Sequence, residues 1–313
     1  MLSKQKSAII QKIALQSDQF SLRMRRMIDF IIYEQAGKGK ALKTRKKLEK
    51  RLNEFNVEYA FHETNAPGHA KKIAEKLCAN GAEIIVAVGG DGTIHETLNG
   101  FTSLEKVKFG IIPSGTGNDF AVSAGISLNP LEALELILNG EAKPTDFFTC
   151  GDKRAMNIAG AGIDVDILKH FAKAKIIKGK FQYLLSLIHC LIHYKPYILD
   201  LTYENGEKAT KKAFIACACN GKRFGGGIRI SPDSVAWDGK LELVVVNDMK
   251  KYKILGAFIK LMQGKVEKIP TCEISQIEKI RIDGKHSVQI DGEIYEFDGC
   301  DMQVVSNKLM MFR

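Results

Sequence analysis

Apolar positions recur in two rhythms along this chain, and the change between them divides it. In the first part, short unbroken apolar runs alternate with amphipathic stretches. Residues 27–33 (MIDFIIY) form a run suited to a parallel strand buried on both faces. A basic helix is predicted over 40–55 and a strand over 57–61. A helix over 68–80 carries Ala70, Ile73, Ala74 and Leu77 on one face, and Gly81 stops it. A third buried strand covers 84–88, with a helix opening at Thr93; a fourth covers 109–112 and leads to a short helix. Pro130 opens another helix, to residue 138. This β-α-β-α order predicts a doubly wound, Rossmann-like parallel sheet.

After about residue 144 the rhythm changes. Helices are predicted near 163–174 and 180–194, and then strands dominate. Turn signals separate them at Asn205-Gly206, Asp238-Gly239, Asp283-Gly284 and Asp291-Gly292. The expectation is an antiparallel β-sandwich-like domain with added helices. The predicted division is an N-terminal extension (1–26), an α/β domain (27–145) and a β-rich domain (146–300). The strands of 301–313 are candidates to return to the first domain.

Composition narrows the class. Hydrophobic residues make up 45% and charged residues 26%, enough to build a globular core. A net charge of +10 calls for a polyanionic partner: nucleic acid, an anionic membrane surface or a phosphate-rich substrate. The densest basic run, 38–51, spreads its charges over all faces of a helix and reads first as a solvated surface. Seven cysteines without a CxxC pair form neither a disulfide framework nor a zinc site, which fits a reducing cytoplasm. The most apolar stretch, 183–192, is too short to cross a bilayer, and the N-terminus lacks the apolar core of a signal peptide.

Two loops carry the candidate chemistry. GGDGTIHETLNG (89–100) follows a buried strand and opens a helix. Its glycines let backbone amides approach a phosphate, and the helix N-terminus adds positive partial charge. A plain strand-to-helix turn with Thr93 as cap explains the glycines and the threonine. It gives no reason for a carboxylate, Asp91, between two glycines. PSGTGNDFA (113–121) has the same setting. In a parallel sheet, two such loops at strand C-termini share one edge, where ligands bind. Ser114, Gly115, Thr116 and Asn118 are candidate nucleotide contacts there, and Asp119 a candidate for metal or acceptor. An Asn-Asp helix cap is the plain alternative. No GxxxxGK[ST] and no full GxGxxG occur.

The two segments, in this order and spacing, resemble the diacylglycerol kinase catalytic-domain family, and its bacterial branch most closely. The resemblance runs through AGKGK (36–40), ETNAPGHA (63–70), MNIAGAGIDVDI (156–167), KGKFQYLL (178–185), NGKRFGGGIRISPDS (220–234), WDGKLELVVV (237–246) and QIDGEIY (289–295). It implies an ATP site between a nucleotide domain and a lipid-substrate domain. Nucleotide contacts would fall on Gly37, Lys38, Thr64, Gly89, Gly90, Asp91, Gly92, Thr93, Ile94, His95, Glu96 and Thr116. It implies Glu293, with Asp291 beside it, as the base that deprotonates the lipid hydroxyl, and Asp91 and Asp119 as organisers of Mg2+ and acceptor. A structural cation is expected at Asp238, with carbonyls of Val235 and Lys240. The expected partner is a membrane lipid at an anionic inner membrane surface, not nucleic acid, and a homodimer is compatible. The family's first loop usually begins Asn-Pro; here Tyr33-Glu34 stands there, and Glu34 near phosphates would be repulsive unless turned away. Two rivals remain: NAD kinase, which shares a GGDG-type loop, and a non-catalytic nucleotide- or lipid-binding regulator. His189 and His193 have metal-like spacing, but the sequence offers no third ligand, so a packed helix is expected.

Overall fold

A computed structural model describes residues 27–34, 36–173 and 180–313; the expected extension 1–26 lies outside them. The first part runs β1 (Ile28–Ile32), α1 (Ala36–Glu54), β2 (Tyr59–Glu63), α2 (His69–Ala79), β3 (Ile84–Gly89), α3 (Asp91–Gly100), β4 (Lys108–Pro113), α4 (Asp119–Ser123) and α5 (Pro130–Asn139). All four strands pair in parallel, in the order β2-β1-β3-β4. Strands β1 and β3 are buried at every position, which is why their apolar runs do not alternate. Asn129 caps α5 by accepting from Leu131 N (3.0 Å), with Pro130 at the first turn. Helix α1 starts at Ala36 and not at residue 40 as predicted, so the AGKGK stretch is the start of this helix.

The second part runs β5 (Ala142–Cys150), β6 (Lys153–Ala155), β7 (Ile158–Gly162), α6 (Ile163–Lys173), α7 (Lys180–Ile192), β8 (Tyr197–Tyr203), β9 (Lys208–Cys219), β10 (Leu241–Asn247), α8 (Lys251–Met262), β11 (Cys272–Ile277), β12 (Lys279–Ile290) and β13 (Glu293–Phe312). Here pairing is antiparallel, in the path β11-β10-β9-β7-β12-β13. The strands alternate between two cores. Ala216, Ala218, Leu243 and Val245 join one cluster; Cys217, Cys219, Val244 and Val246 join another with helices α6, α7 and α8. Burial on both faces explains the continuous apolar runs.

One sheet crosses the whole molecule. Strand β13 pairs with β12 and β5, and its end lies parallel to β4 (Met310↔Lys108, Met311↔Phe109). Leu309, Met311 and Phe312 therefore fill the core of the first part. Residue 145 falls within β5, whose two halves pair along β13.

Two of the four turn signals act differently from expectation. Asn205-Gly206 joins β8 to β9, and Asp291-Gly292, both at positive φ (51° and 96°), joins β12 to β13. Asp283-Gly284 instead lies inside β12 at a register shift, a bulge that Gly284 (φ 79°) permits. Asp238-Gly239 ends a long connection from β9 to β10 and not a two-residue hairpin. His170 joins His189 and His193, with ring centroids 4.2 and 4.3 Å apart. The rings stack face to face, a packing arrangement and not a converging ligand set.

The crossing strand yields a test. Met311→Ala removes a fully buried side chain from the first core although it lies at the chain's end. Urea denaturation is expected to register a loss of about 2–5 kcal/mol.

Candidate active site

The two glycine loops meet. Ser114 N and Gly115 N both donate to Gly89 O (2.8 and 3.2 Å). Contact is so close that a Cβ on Gly115 would lie 2.4 Å from Gly90 Cα, which requires glycine there. A Cβ on Gly89 would lie 2.3 Å from Thr93 Oγ1. Helix α3 starts at Asp91 with Gly90 as its cap residue, so Thr93 lies in the first turn and is not the cap the sequence suggested.

Asp91 spans the two loops. Its oxygens accept from Asp119 N (3.2 Å) and Phe120 N (3.1 Å), capping α4 from outside. This cap replaces the expected Asn-Asp one: Asn118 takes φ 55° and accepts from Gly115 N (2.9 Å) instead. Asp119 accepts from Arg223 Nε (2.9 Å) and Gly226 N (2.7 Å), tying the first part to the glycine loop 225–227 of the second. A Cβ on Gly117 would lie 3.1 Å from Asp91 Oδ2 and 3.4 Å from Asp119 Oδ2, so both carboxylates flank one backbone atom. Desolvation, reinforced by the Asp119 charge, pushes the Asp91 carboxyl up to about 6.

Asp291 and Glu293 have different surroundings. The buried Asp291 carboxylate accepts from Met156 N (2.8 Å), Asn157 N (2.9 Å) and Ile158 N (3.1 Å), and meets His95 Nδ1 at 3.1 Å. His95 Nε2 lies 2.9 Å from Tyr295 Oη. Asp291 is thus a buried joint between α3, β7 and the β12–β13 turn, fully engaged by donors. Two residues on, Glu293 is exposed, facing Gly92, whose Cβ would lie 3.9 Å from Glu293 Oε1. Partial desolvation raises its carboxyl above the ordinary value; the Glu96 charge adds and His95 opposes.

The other predicted contacts scatter more. Thr64, Gly90, Gly92, Thr93, Glu96 and Gly115 line one cleft with Tyr33 and Ala36. Ile94 is buried in the core, and Ser114 Oγ faces Thr44 Oγ1 (3.4 Å), so neither side chain reaches that cleft. Glu96 accepts from Gly68 N (2.8 Å) and Ala70 N (3.1 Å), holding the start of α2. Thr116 is exposed at its loop. The Lys38 side chain lies outside the described residues, and Gly37 is at the start of α1. Glu34 is neutralised by Arg45 Nη1 at 2.6 Å, which removes the repulsion its position implied. At the expected structural cation, Asp238 Oδ1 accepts from Lys240 N (3.0 Å) and Val235 O from Trp237 N (2.8 Å), so the turn closes on itself. Among the described residues no three His, Cys, Asp or Glu gather as a metal cage.

A second cleft lies across the loops, lined by Asp91, Gly117, Asp119, Leu168, Phe224, Gly226, Asp291 and Gly292. Asp164 and Gln289 also border it. Sequence reasoning missed Arg223 as the Asp119 partner, because only the fold brings them together. It also missed Asp164, which is buried with neither oxygen in good hydrogen-bond geometry. Burial pushes its carboxyl up to about 7. A raised carboxyl favours the protonated folded state, so its contribution to stability is lost as pH rises from about 4 toward 7. Asp164→Asn should therefore gain stability relative to wild type on going from pH 4 to pH 8. The expected gain is up to about 4 kcal/mol, read by urea denaturation at both values.

Residues 28–150 match the family described as diacylglycerol kinase catalytic domain. Residues 157–313 match the YegS C-terminal NAD kinase beta sandwich-like domain. A Bacillus subtilis protein named diacylglycerol kinase is 27% identical over 249 residues, covering 78% of this chain and 82% of its own length. Two solved structures from Bacillus anthracis str. Sterne superpose on the whole architecture. One, described as a diacylglycerol kinase, has a TM-score of 0.68 at 21% identity, covering 92% of this chain and 96% of its own. The other reaches 0.75 at 26%, covering 92% and 97%. With both halves matched and the two loops joined as described, this chain belongs to the diacylglycerol kinase catalytic-domain family, in its bacterial branch.

Proposed function

We propose that this protein transfers the γ-phosphoryl group of ATP to the hydroxyl of a membrane lipid, with diacylglycerol as acceptor and phosphatidic acid as product. The observation that carries this reading is a shared wall. Gly90, Gly92 and Gly115 border the first cleft, while Asp91, Gly117 and Asp119 border the second. A phosphoryl group held at the wall has a nucleotide side and an acceptor side. The first cleft encloses about 350 Å3, within the range of small-molecule sites. The Bacillus subtilis relative's name supports the lipid acceptor.

The chain's own groups divide the work. Backbone amides at the start of α3, in a doubly wound nucleotide domain, receive the phosphates, joined by Thr64, Thr116 and Lys38. Asp91 and Asp119 fit Mg2+: they are hard oxygen donors close together, and burial, reinforced by the Asp119 charge, raises the Asp91 carboxyl, a cost that a cation would relieve. Two carboxylates plus substrate phosphates are a usual magnesium set. When bound, the ion neutralises charge that develops at the phosphates. Glu293 Oε1 takes the acceptor proton as the hydroxyl oxygen attacks phosphorus and the bond to ADP breaks in line. Asp291 holds the turn that carries Glu293. The protein works in the cytoplasm, at the inner membrane surface.

Activity on diacylglycerol in mixed micelles tests this. Glu293→Gln should lower kcat about 10²–10⁴-fold with little change in KM for ATP. The base must be ionised and its carboxyl is raised, so the acid limb of kcat should lie above the ordinary glutamate range and vanish in that variant. Phosphorylation of NAD and of no lipid would replace the proposal with the NAD kinase reading. ATP binding without turnover on any lipid would favour a regulator.

A further inference from the structure

Helices α7 and α8 pack against the second sheet through Cys190, Tyr194, Ile254 and Leu261. Their outer faces are apolar as well, which this packing does not require. On α8, Tyr252, Leu255, Ile259 and Met262 are exposed by 75%, 64%, 49% and 49%. Their spacing places them in one stripe along the helix. On α7, Leu185, Ile188 and Ile192 form a second stripe, exposed by 40%, 45% and 62%. The helices approach each other where Lys251 Nζ donates to Ile192 O (3.4 Å). Scattered exposed apolar residues are ordinary, but two adjoining stripes mark an interaction surface.

Charge identifies the partner. Between residues 250 and 268 the chain has six lysines and a single acid, Glu267. None of these lysines forms an ion pair with a described residue. Helix α7 contains no acid. An apolar stripe flanked by unpaired lysines is the pattern of a helix that lies in a membrane interface. The surface also adjoins the acceptor cleft. Gly264, just past α8, packs on Arg229, two residues beyond the glycine loop that borders the cleft; Leu168 of α6 borders it too. That cleft encloses about 160 Å3, room for a headgroup but not for acyl chains, so the chains must stay outside.

We propose that the outer faces of α7 and α8 dock this protein on an anionic phospholipid bilayer, with the apolar stripes at the acyl boundary and the lysines at lipid phosphates. The proposal rests on the lipid-kinase reading, and its test separates the two. Vesicles of equal parts phosphatidylcholine and phosphatidylglycerol are sedimented with the full chain. Leu255→Ser/Ile259→Ser/Met262→Ser should lower partitioning at least about tenfold. It should lower turnover of diacylglycerol in those vesicles to match, while turnover of a short-chain, water-dispersed diacylglycerol stays at the wild-type rate. Lys253→Glu/Lys265→Glu should weaken binding to these vesicles but not to pure phosphatidylcholine, and flatten the salt dependence. Unchanged partitioning of both variants overturns the proposal. So does a wild-type dimer that the serine variant dissociates without loss of vesicle binding, since the stripes would then cover a second copy. If the short-chain lipid is not phosphorylated at all, the kinase reading fails while the sedimentation result still decides docking.

Discussion

A carboxylate removed from water is tolerable only when donors surround it, and Asp291 is the place where this constraint organises the molecule. Three successive backbone amides at Met156, Asn157 and Ile158 point at its oxygens, and the His95 ring closes the shell. The amides belong to the second part of the chain and the histidine to the first. One side chain therefore fixes the helix after the first glycine loop against the turn that presents Glu293. Loss of that carboxylate would orphan three buried donors at once, each costing about 1–3 kcal/mol. The β13 strand acts in the same sense on a larger scale, since it carries the chain's last residues into the first core.

The glycine loops follow a related logic at closer range. Their backbones touch, so side chains are excluded. Asp91 then caps α4 across the gap, and Asp119 reaches Gly226 and Arg223. The two acids proposed for the chemistry are also the fasteners that join the loops. Burial, reinforced by the neighbouring Asp119 charge, raises the Asp91 carboxyl.

Charge is divided between tasks as well. Arg45 holds Glu34, Glu49 and Glu63 together, so part of the basic excess serves structure. The lysines around α8 have no acidic partner among the described residues, and exposed apolar side chains share that helix.

Unbroken apolar runs determined β1, β3 and β4 from the sequence, because burial on both faces leaves no alternation to confuse the reading. Gly-Gly-Asp-Gly and its companion loop marked the sheet edge where two backbones meet, because only glycine permits that approach. Asp291-Gly292 read correctly as a turn, since both residues tolerate positive φ. Asp283-Gly284 has the same local chemistry and became a bulge, because the pairing of β12 with β8 and β13 overrode it. Only the tertiary structure decided that Asp291 is a joint and Glu293 faces Gly92, that Glu96 holds α2, and that Arg223 meets Asp119 from a hundred residues away. Local pattern fixes what a segment is. Which carboxylate is saturated with donors depends on amides that arrive from elsewhere in the chain.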